Sequence, residues 1–392
     1  MKGVLRLGLA AAALALLAAC AAPGPKIPNA PPSRNAPRPR SPAPPLPERR
    51  PEAPPARREP PPPAPNSTPV RPQPAPAQPP SGGLGLSILP GWAEEDHIAA
   101  LRAYQAGCGA DASARATCAQ ARSLTYPDDE TARVFFETWF RLEPVGQDLG
   151  LLTSYFAPEY EARFAPDGEF TAPVRPRPAD LDPSKPYADR TAIEARSPRD
   201  ALAWMRPEDL FFLQIQGSGS LTFPGGQRLR ANFAGHNGRA FVGIATPMRQ
   251  RGLLADNDTS GEAIRAWLAA HGGPQADAIM RLNPRYVFFS LGPDDGGDPP
   301  GAAGIPLPAG RAIAVDPTFH SYGAAYWIDG TAAVLNGAFP TYRRLVMALD
   351  TGGAIRGQVR ADLYMGRGQA AGTEAGRVRH SLRMFKLVPI GG

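Results

Sequence analysis

The densest chemistry in the sequence lies in Ala348 to Gly368, ALDTGGAIRGQVRADLYMGRG. A buried-type apolar run, Leu345 to Leu349, ends in Asp350, and Thr351-Gly352-Gly353 follows. Glycines there permit a tight turn and let a ligand approach the backbone closely. Asp362 stands between Ala361 and Leu363-Tyr364. A lone aspartate flanked by apolar residues is expected to be partly buried, and burial raises a carboxyl pKa toward the range of a general acid. Asp316, in IAVDPTF, ends another apolar run. Spacing alone leaves all three open to a second reading as turn or capping aspartates, which that side chain adopts easily.

Other chemistries lack their residues. The sequence has no G-x-x-x-x-G-K-[ST], no H-E-x-x-H and no dinucleotide fingerprint behind a strand. Its five histidines, at 97, 236, 271, 320 and 380, have no metal-ligand spacing. Gln216 precedes Gly217-Ser218-Gly219, so that run is not a G-x-S-x-G elbow. No metal and no cofactor are expected, and carboxylates remain as the reactive groups.

Short apolar or alternating runs fill the chain beyond Leu149: Leu210 to Ile215, Arg285 to Leu291, Ala312 to Val315, Ala324 to Ile328, Arg344 to Leu349 and Met384 to Val388. Gly, Pro, Asn and Asp punctuate them. This texture predicts a mainly β fold, a barrel or sandwich, with helices interrupting at Ala240 to Arg251 and Glu262 to Ala270. Before it, helical spacing predicts amphipathic helices over Glu94 to Gln105 and Thr131 to Leu142, the second with Val134, Phe135, Trp139 and Leu142 inward.

The amino terminus reads as a targeting segment. Lys2 and Arg6 precede the apolar run Leu7 to Ala19, which falls short of the ~20 residues of a spanning helix. The run ends Leu17-Ala18-Ala19-Cys20, which looks like a bacterial lipobox with Cys20 as the acylated residue; an ordinary signal peptide is the plainer alternative. Residue 21 is Ala rather than the Asp associated with inner-membrane retention, so the resemblance implies an outer-membrane lipoprotein facing the periplasm. In an exported, oxidising setting Cys108 and Cys118, ten residues apart, are expected to close a disulfide.

Charge separates the tail from the working part. Residues 21–80 hold 25 prolines, 9 Lys/Arg and 3 Asp/Glu, whereas residues 81–392 hold 31 Lys/Arg and 33 Asp/Glu. The net +6 of the chain therefore belongs to its tail, and the near-neutral remainder argues against nucleic-acid binding. Few large apolar residues stand between 21 and 81 to offset chain entropy, so a disordered, Pro-rich tether over 21–83 is expected. Polyproline stretches would extend it at ~3.1 Å per residue.

Six segments in order resemble the membrane-bound lytic murein transglycosylase A family. They are TSYFAPEYEARF (Thr153 to Phe164), FFLQIQGSGSL (Phe211 to Leu221), AGHNGRAFVGIATPMRQRG (Ala234 to Gly252), NPRYVFF (Asn283 to Phe289), IAVDP (Ile313 to Pro317) and the aspartate-rich stretch. The resemblance implies a double-psi β-barrel over 84–157 and 287–392, a smaller β-rich domain inserted at 158–286, and a groove between them for glycan. It implies cleavage of the β-1,4 bond between N-acetylmuramic acid and N-acetylglucosamine without water, with Asp362 as the catalytic residue. Asp350 and Asp316 match the family's other two aspartates, and Tyr155, Gln216, Gly217, Ser218 and Gly353 fall in segments expected to line the groove. The sequence departs from the family after Asp316, where it reads Thr318-Phe319-His320-Ser321-Tyr322-Gly323, and at Met365, where an aromatic is common. A monomer is expected, alone or within a cell-wall enzyme complex. The alternatives are a hydrolytic glycosidase on the same glycan, which needs a second carboxylate, and a non-catalytic peptidoglycan-binding lipoprotein, which needs no Asp362.

Overall fold

Two aspartates cap the first α-helices of the described chain. In the computed structural model, which describes residues 84–255, 258–332 and 339–390, helices α1 (His97–Gly107), α2 (Arg115–Ser123) and α3 (Asp129–Trp139) come first. Asp96 accepts from the Ala99 N–H at 2.9 Å and Asp128 from the Thr131 N–H at 2.8 Å, each satisfying a first-turn donor. The sulfurs of Cys108 and Cys118 are bonded, with Cα atoms 5.5 Å apart, which ties the end of α1 to α2. The leader, Cys20 and the Pro-rich tether lie outside the described residues.

Helix α3 stops at Trp139, earlier than its periodicity suggests, and Val134 faces outward while Phe135 and Phe136 are buried. The chain turns directly into β1 (Phe140–Pro144), so Leu142 is buried on a strand. Strand β2 (Gly150–Ala157) follows. Then come β3 (Glu159–Glu161), β4 (Ala172–Val174), β5 (Ala203–Met205), β6 (Gly219–Thr222), β7 (Arg228–His236) and β8 (Val287–Pro293). The chain returns through β9 (Ala312–Ala314), β10 (Ala325–Thr331), β11 (Thr341–Asp350), β12 (Arg360–Arg367) and β13 (Arg379–Pro389).

Among the described residues, strands β13, β10, β11, β9, β12 and β2 pair in that order, and β2 pairs back to β13. The sheet therefore closes into a six-stranded barrel, with β1 attached outside along β13. Pairs β9–β11 and β2–β12 are parallel, and the other barrel pairs are antiparallel. Strand β11 explains why its sequence is apolar without interruption. Val346 and Ala348 pack with Tyr326, Ile328 and Leu363 in one cluster, whereas Leu345, Met347 and Leu349 pack with Trp92, Tyr104 and Phe136 in another. Both faces are covered, so no polar residue alternates.

A second sheet, β3-β6-β7-β8, and the β4–β5 pair stand between β2 and β9 in the chain. Strand β8 belongs to this second sheet through its pairing with β7, so Val287 to Pro293 leaves the barrel segment in which the sequence reading put it. Its Val-Phe-Phe run is buried either way, and hydrophobicity does not reveal which sheet covers it.

The predicted strand Leu210 to Ile215 is instead the core of a helix, Pro207–Gln216. Pro207 sits at its first turn with Glu208 and Asp209, and Gly217 ends it at φ +88°, a left-handed cap that glycine adopts without strain. Leu210 and Leu213 pack into the second sheet's core while Phe211 packs on the opposite cluster with Met248 and Leu268. A helix apolar on several faces shows no 3.6-residue period. The segment Ala240 to Arg251 is helical only over Ala245–Gln250, whereas Gly261–Ala270 matches its periodicity closely.

Candidate active site

Asp362 lies on β12, in parallel register with Thr153 of β2 and opposite Ala314 of β9. Thr153 and Asp362 are joined by a hydrogen bond between Oγ1 and Oδ1. Arg360, two residues earlier on the same face of β12, donates from Nη2 to Thr153 Oγ1 at 2.8 Å. A guanidinium cannot accept, so the Thr153 oxygen accepts from Arg360 and turns its own proton to Asp362 Oδ1. Oδ1 is thereby held as an acceptor, and an acidic proton on Asp362 belongs on Oδ2. Burial pushes the Asp362 pKa up from the ordinary carboxylate value; the Thr153 hydrogen bond and the Arg360 charge pull it back, and the Asp350 charge adds to the rise.

Asp350 ends β11. The Tyr155 hydroxyl donates to its Oδ2 at 2.6 Å, and the Ala302 N–H donates to its Oδ1 at 2.9 Å. Burial raises its pKa as well, against those two hydrogen bonds. Burial and the neighbouring carboxylates hold the Tyr155 phenol well above its usual pKa, so it remains a neutral donor. Its ring packs 5.3 Å from that of Tyr364.

A cavity of about 230 Å³ opens beside these groups. Thr153, Tyr155, Gln216, Gly353, Arg360 and Asp362 line it, together with Arg285 and Phe241. Both segments of the chain contribute: Gln216 comes from the end of its helix, where its Oε1 accepts the Phe156 N–H at 3.1 Å, tying that helix to β2. Gly217 and Ser218 follow Gln216 but are not on the cavity wall; Gly217 serves as the helix cap. Gly353 is on the wall, with the Arg285 guanidinium where a side chain at that position would stand.

Asp316 lies off the wall and acts on the loop between β11 and β12. Its Oδ2 accepts the Gly357 N–H at 2.8 Å, and its Oδ1 accepts from the Thr318 N–H and hydroxyl at 3.1 and 2.9 Å. The Gly357 bond leads the causes that hold its pKa below the ordinary value. His320, from the divergent TFHSYG run, grips the same loop: its Nε2 meets the Gln358 carbonyl at 2.8 Å, and its Nδ1 meets the Tyr326 hydroxyl at 3.0 Å. Sequence reasoning did not single out Thr153, Arg360 or Arg285. The two-residue period of a strand puts Arg360 beside Asp362, but nothing local places Thr153, which is 209 residues away. Among the described residues, no group of three or more His, Cys, Asp or Glu is placed to hold a metal ion.

Residues 151–290 match the MltA specific insert domain, and residues 311–388 match the 3D domain. The crystal structure of membrane-bound lytic murein transglycosylase from Agrobacterium tumefaciens is 30% identical, with a TM-score of 0.67, covering 78% of this chain and 97% of that one. The chain belongs to the membrane-bound lytic murein transglycosylase A family. Its barrel is the family's double-psi β-barrel, with the second sheet as the inserted domain and the cavity in the groove between. A curated relative, membrane-bound lytic murein transglycosylase A of Vibrio cholerae, is 32% identical over 242 residues. That match covers 60% of this chain and 65% of the relative, just under two thirds of its length. The structure of Escherichia coli MltA with bound chitohexaose is 28% identical, with a TM-score of 0.59, covering 80% of this chain and 93% of that one.

Proposed function

We propose that the chain is a lytic transglycosylase of peptidoglycan, cleaving the β-1,4 bond between N-acetylmuramic acid and N-acetylglucosamine to leave 1,6-anhydro ends. One observation carries this reading. Of the three aspartates, Asp362 lines the cavity, while Asp350 and Asp316 do not and have their oxygens engaged.

A single carboxyl suffices for the reaction. Asp362 gives its Oδ2 proton to the glycosidic oxygen as the bond from C1 breaks, and an oxocarbenium-like sugar forms. The carboxylate then takes the proton of the muramoyl C6 hydroxyl while O6 bonds to C1, and the acid is restored. The hydroxyl is part of the same sugar, so its attack has a high effective molarity. Hydrolysis with inversion needs a second carboxylate ~6.5–9.5 Å away to activate water. Asp350, hydrogen-bonded on both oxygens, is poorly suited to that task.

The names of the relatives support the reading, as does the chitohexaose bound to the Escherichia coli one, a β-1,4 chain of N-acetylglucosamine. The near-neutral domain suits an uncharged sugar backbone. The wider setting follows from the amino terminus: acylated Cys20 anchors the protein in the outer membrane, and the tether gives the catalytic domain reach into the wall for its turnover. Radiolabelled palmitate incorporated by the wild type and lost in Cys20→Ala is the check on that anchor. The reaction is tested by incubating murein sacculi with the wild type and with Asp362→Asn, and reading products by mass spectrometry. The wild type should release anhydro-muropeptides and the variant none. Normal release by Asp362→Asn, or wild-type products one water heavier, would sink the proposal.

A further inference from the structure

Arg285 lines the same cavity as Asp362. Its backbone is fixed, since its carbonyl accepts from Arg190 Nη2 at 2.7 Å. Its guanidinium donates one hydrogen bond, from Nη1 to the Arg239 carbonyl at 3.2 Å. The rest of the group is held by shape. A Cβ built on Gly353 would lie 2.7 Å from Cζ, 2.9 Å from Nη1 and 3.0 Å from Nη2. For a planar group with C–N bonds of ~1.33 Å, that pattern belongs to a point above the face. The Gly353 backbone therefore stands over one flat side, and among the described residues Nε and Nη2 make no hydrogen bond. Any side chain at position 353 would displace the guanidinium.

The charge there is unanswered. Among the described residues no carboxylate pairs with Arg285. Burial and the positive charge of Arg356 both disfavour its charged form, and no acid opposes them. His236, at the end of β7, faces the same two arginines. Its Nδ1 accepts the Gly238 N–H at 2.9 Å, which leaves Nε2 as its donor. Arg356 is exposed and reaches Asp316 Oδ1 at 3.6 Å, an oxygen that Thr318 already occupies. A half-buried guanidinium without a counter-ion is costly. A carboxylate entering from the cavity would meet the open fork, the geometry in which arginine binds most strongly.

We propose that Arg285 receives a carboxylate carried on the O3 substituent of the muramoyl sugar, so that this groove distinguishes muramoyl glycan from a chain of N-acetylglucosamine alone. This rests on the glycan reading above. The sugar rings of such a strand are neutral, so its negative charge sits on that substituent. It is the lactyl carboxylate where the peptide has been removed and the peptide's own carboxylates where it remains. A neutral chain has nothing to offer the fork.

The test uses full-length protein carrying Asp362→Asn, so that ligands bind without being cut. Calorimetry at low salt compares chitohexaose, peptide-free muramoyl oligosaccharide and the same oligosaccharide with its stem peptides. Preference for at least one carboxylate-bearing ligand over chitohexaose is expected at tenfold or more. Arg285→Met should abolish that preference, Arg285→Lys should retain part of it, and thermal melts establish that each variant is folded. The ligand that shows the preference identifies the carboxylate. Preference that persists in Arg285→Met, or is absent from the parent, overturns the proposal. Wild-type protein that releases no anhydro product from sacculi overturns the reaction instead, and the two failures are read in separate assays.

Discussion

The contact between Thr153 and Asp362 sets a measurable expectation. Thr153→Val removes the hydroxyl and keeps a β-branched side chain of nearly the same shape, which suits its strand position. The β2–β12 register is made by backbone groups and should persist. What is lost is a hydrogen bond to the ionised carboxylate, of a kind that contributes about 1.5–3 kcal/mol. The Asp362 carboxylate becomes about 10- to 100-fold harder to form. The Thr153 bond lowers the Asp362 pKa in the native protein, so removing it moves that pKa further up. The acid form is the one needed to protonate the leaving oxygen, so kcat/KM falls as pH rises through this titration. The basic limb of the pH profile should therefore shift to higher pH in Thr153→Val. At the same time kcat should drop by about tenfold or more, because the carboxylate is no longer held on Oδ1 and is a costlier species to generate. Thr153→Ser, which retains the donor, should restore most of both. The assay is anhydro-muropeptide release from sacculi between about pH 4 and pH 9, with near-ultraviolet circular dichroism as the fold check. An unmoved basic limb, or one displaced to lower pH, would refute the claim that Thr153 donates to Asp362.

Two further outcomes follow from the aspartates themselves. Burial raises the Asp362 pKa above its ordinary value of 3.8, and for a raised acid the stabilising contribution is full below the unfolded value and is lost as pH climbs through the folded one. Asp362→Asn has no charge to bury, so its Tm advantage over wild type should widen by a few °C from about pH 4 to pH 8 in calorimetry; a constant difference would contradict the assignment. Asp316→Ala removes the acceptor for Gly357 and Thr318, so limited proteolysis should cut faster within the β11–β12 loop and kcat/KM should fall about tenfold; a loop as resistant as the native one would show that Asp316 does not hold it.

The sequence discloses the candidate aspartates because they interrupt apolar strands, and a charged residue at such a position is conspicuous. Asp350 and Asp362 stand at the end of β11 and within β12. It does not disclose their partners. Thr153 and Tyr155 reach them through the parallel β2–β12 pairing, which closes a barrel across the whole inserted domain and leaves no local pattern. The same limit explains Leu210 to Ile215. That helix is buried against two clusters, so its sequence is as evenly apolar as a covered strand, and only Pro207 and Gly217 mark its ends. The buried run Val287 to Phe289 carries no signal of which sheet it joins, and its pairing with β7 decides.

One carboxyl that serves first as acid and then as base must lie close in free energy to both protonation states. Burial in a barrel wall would by itself leave Asp362 reluctant to release its proton, because the buried carboxylate is costly to form. The Arg360–Thr153 pair opposes the effect of burial through Oδ1, and so supports the carboxylate without competing for a proton on Oδ2. Asp350 acts in the opposite sense, since its charge raises the Asp362 pKa, and the Tyr155 and Ala302 donors keep Asp350 itself from escaping ionisation altogether. The three residues that sequence makes prominent are thus unequal. In the proposed reaction Asp362 exchanges the proton and Asp350 biases where that proton rests, while Asp316 fixes the loop that carries Gly353 to the cavity wall beside Arg285.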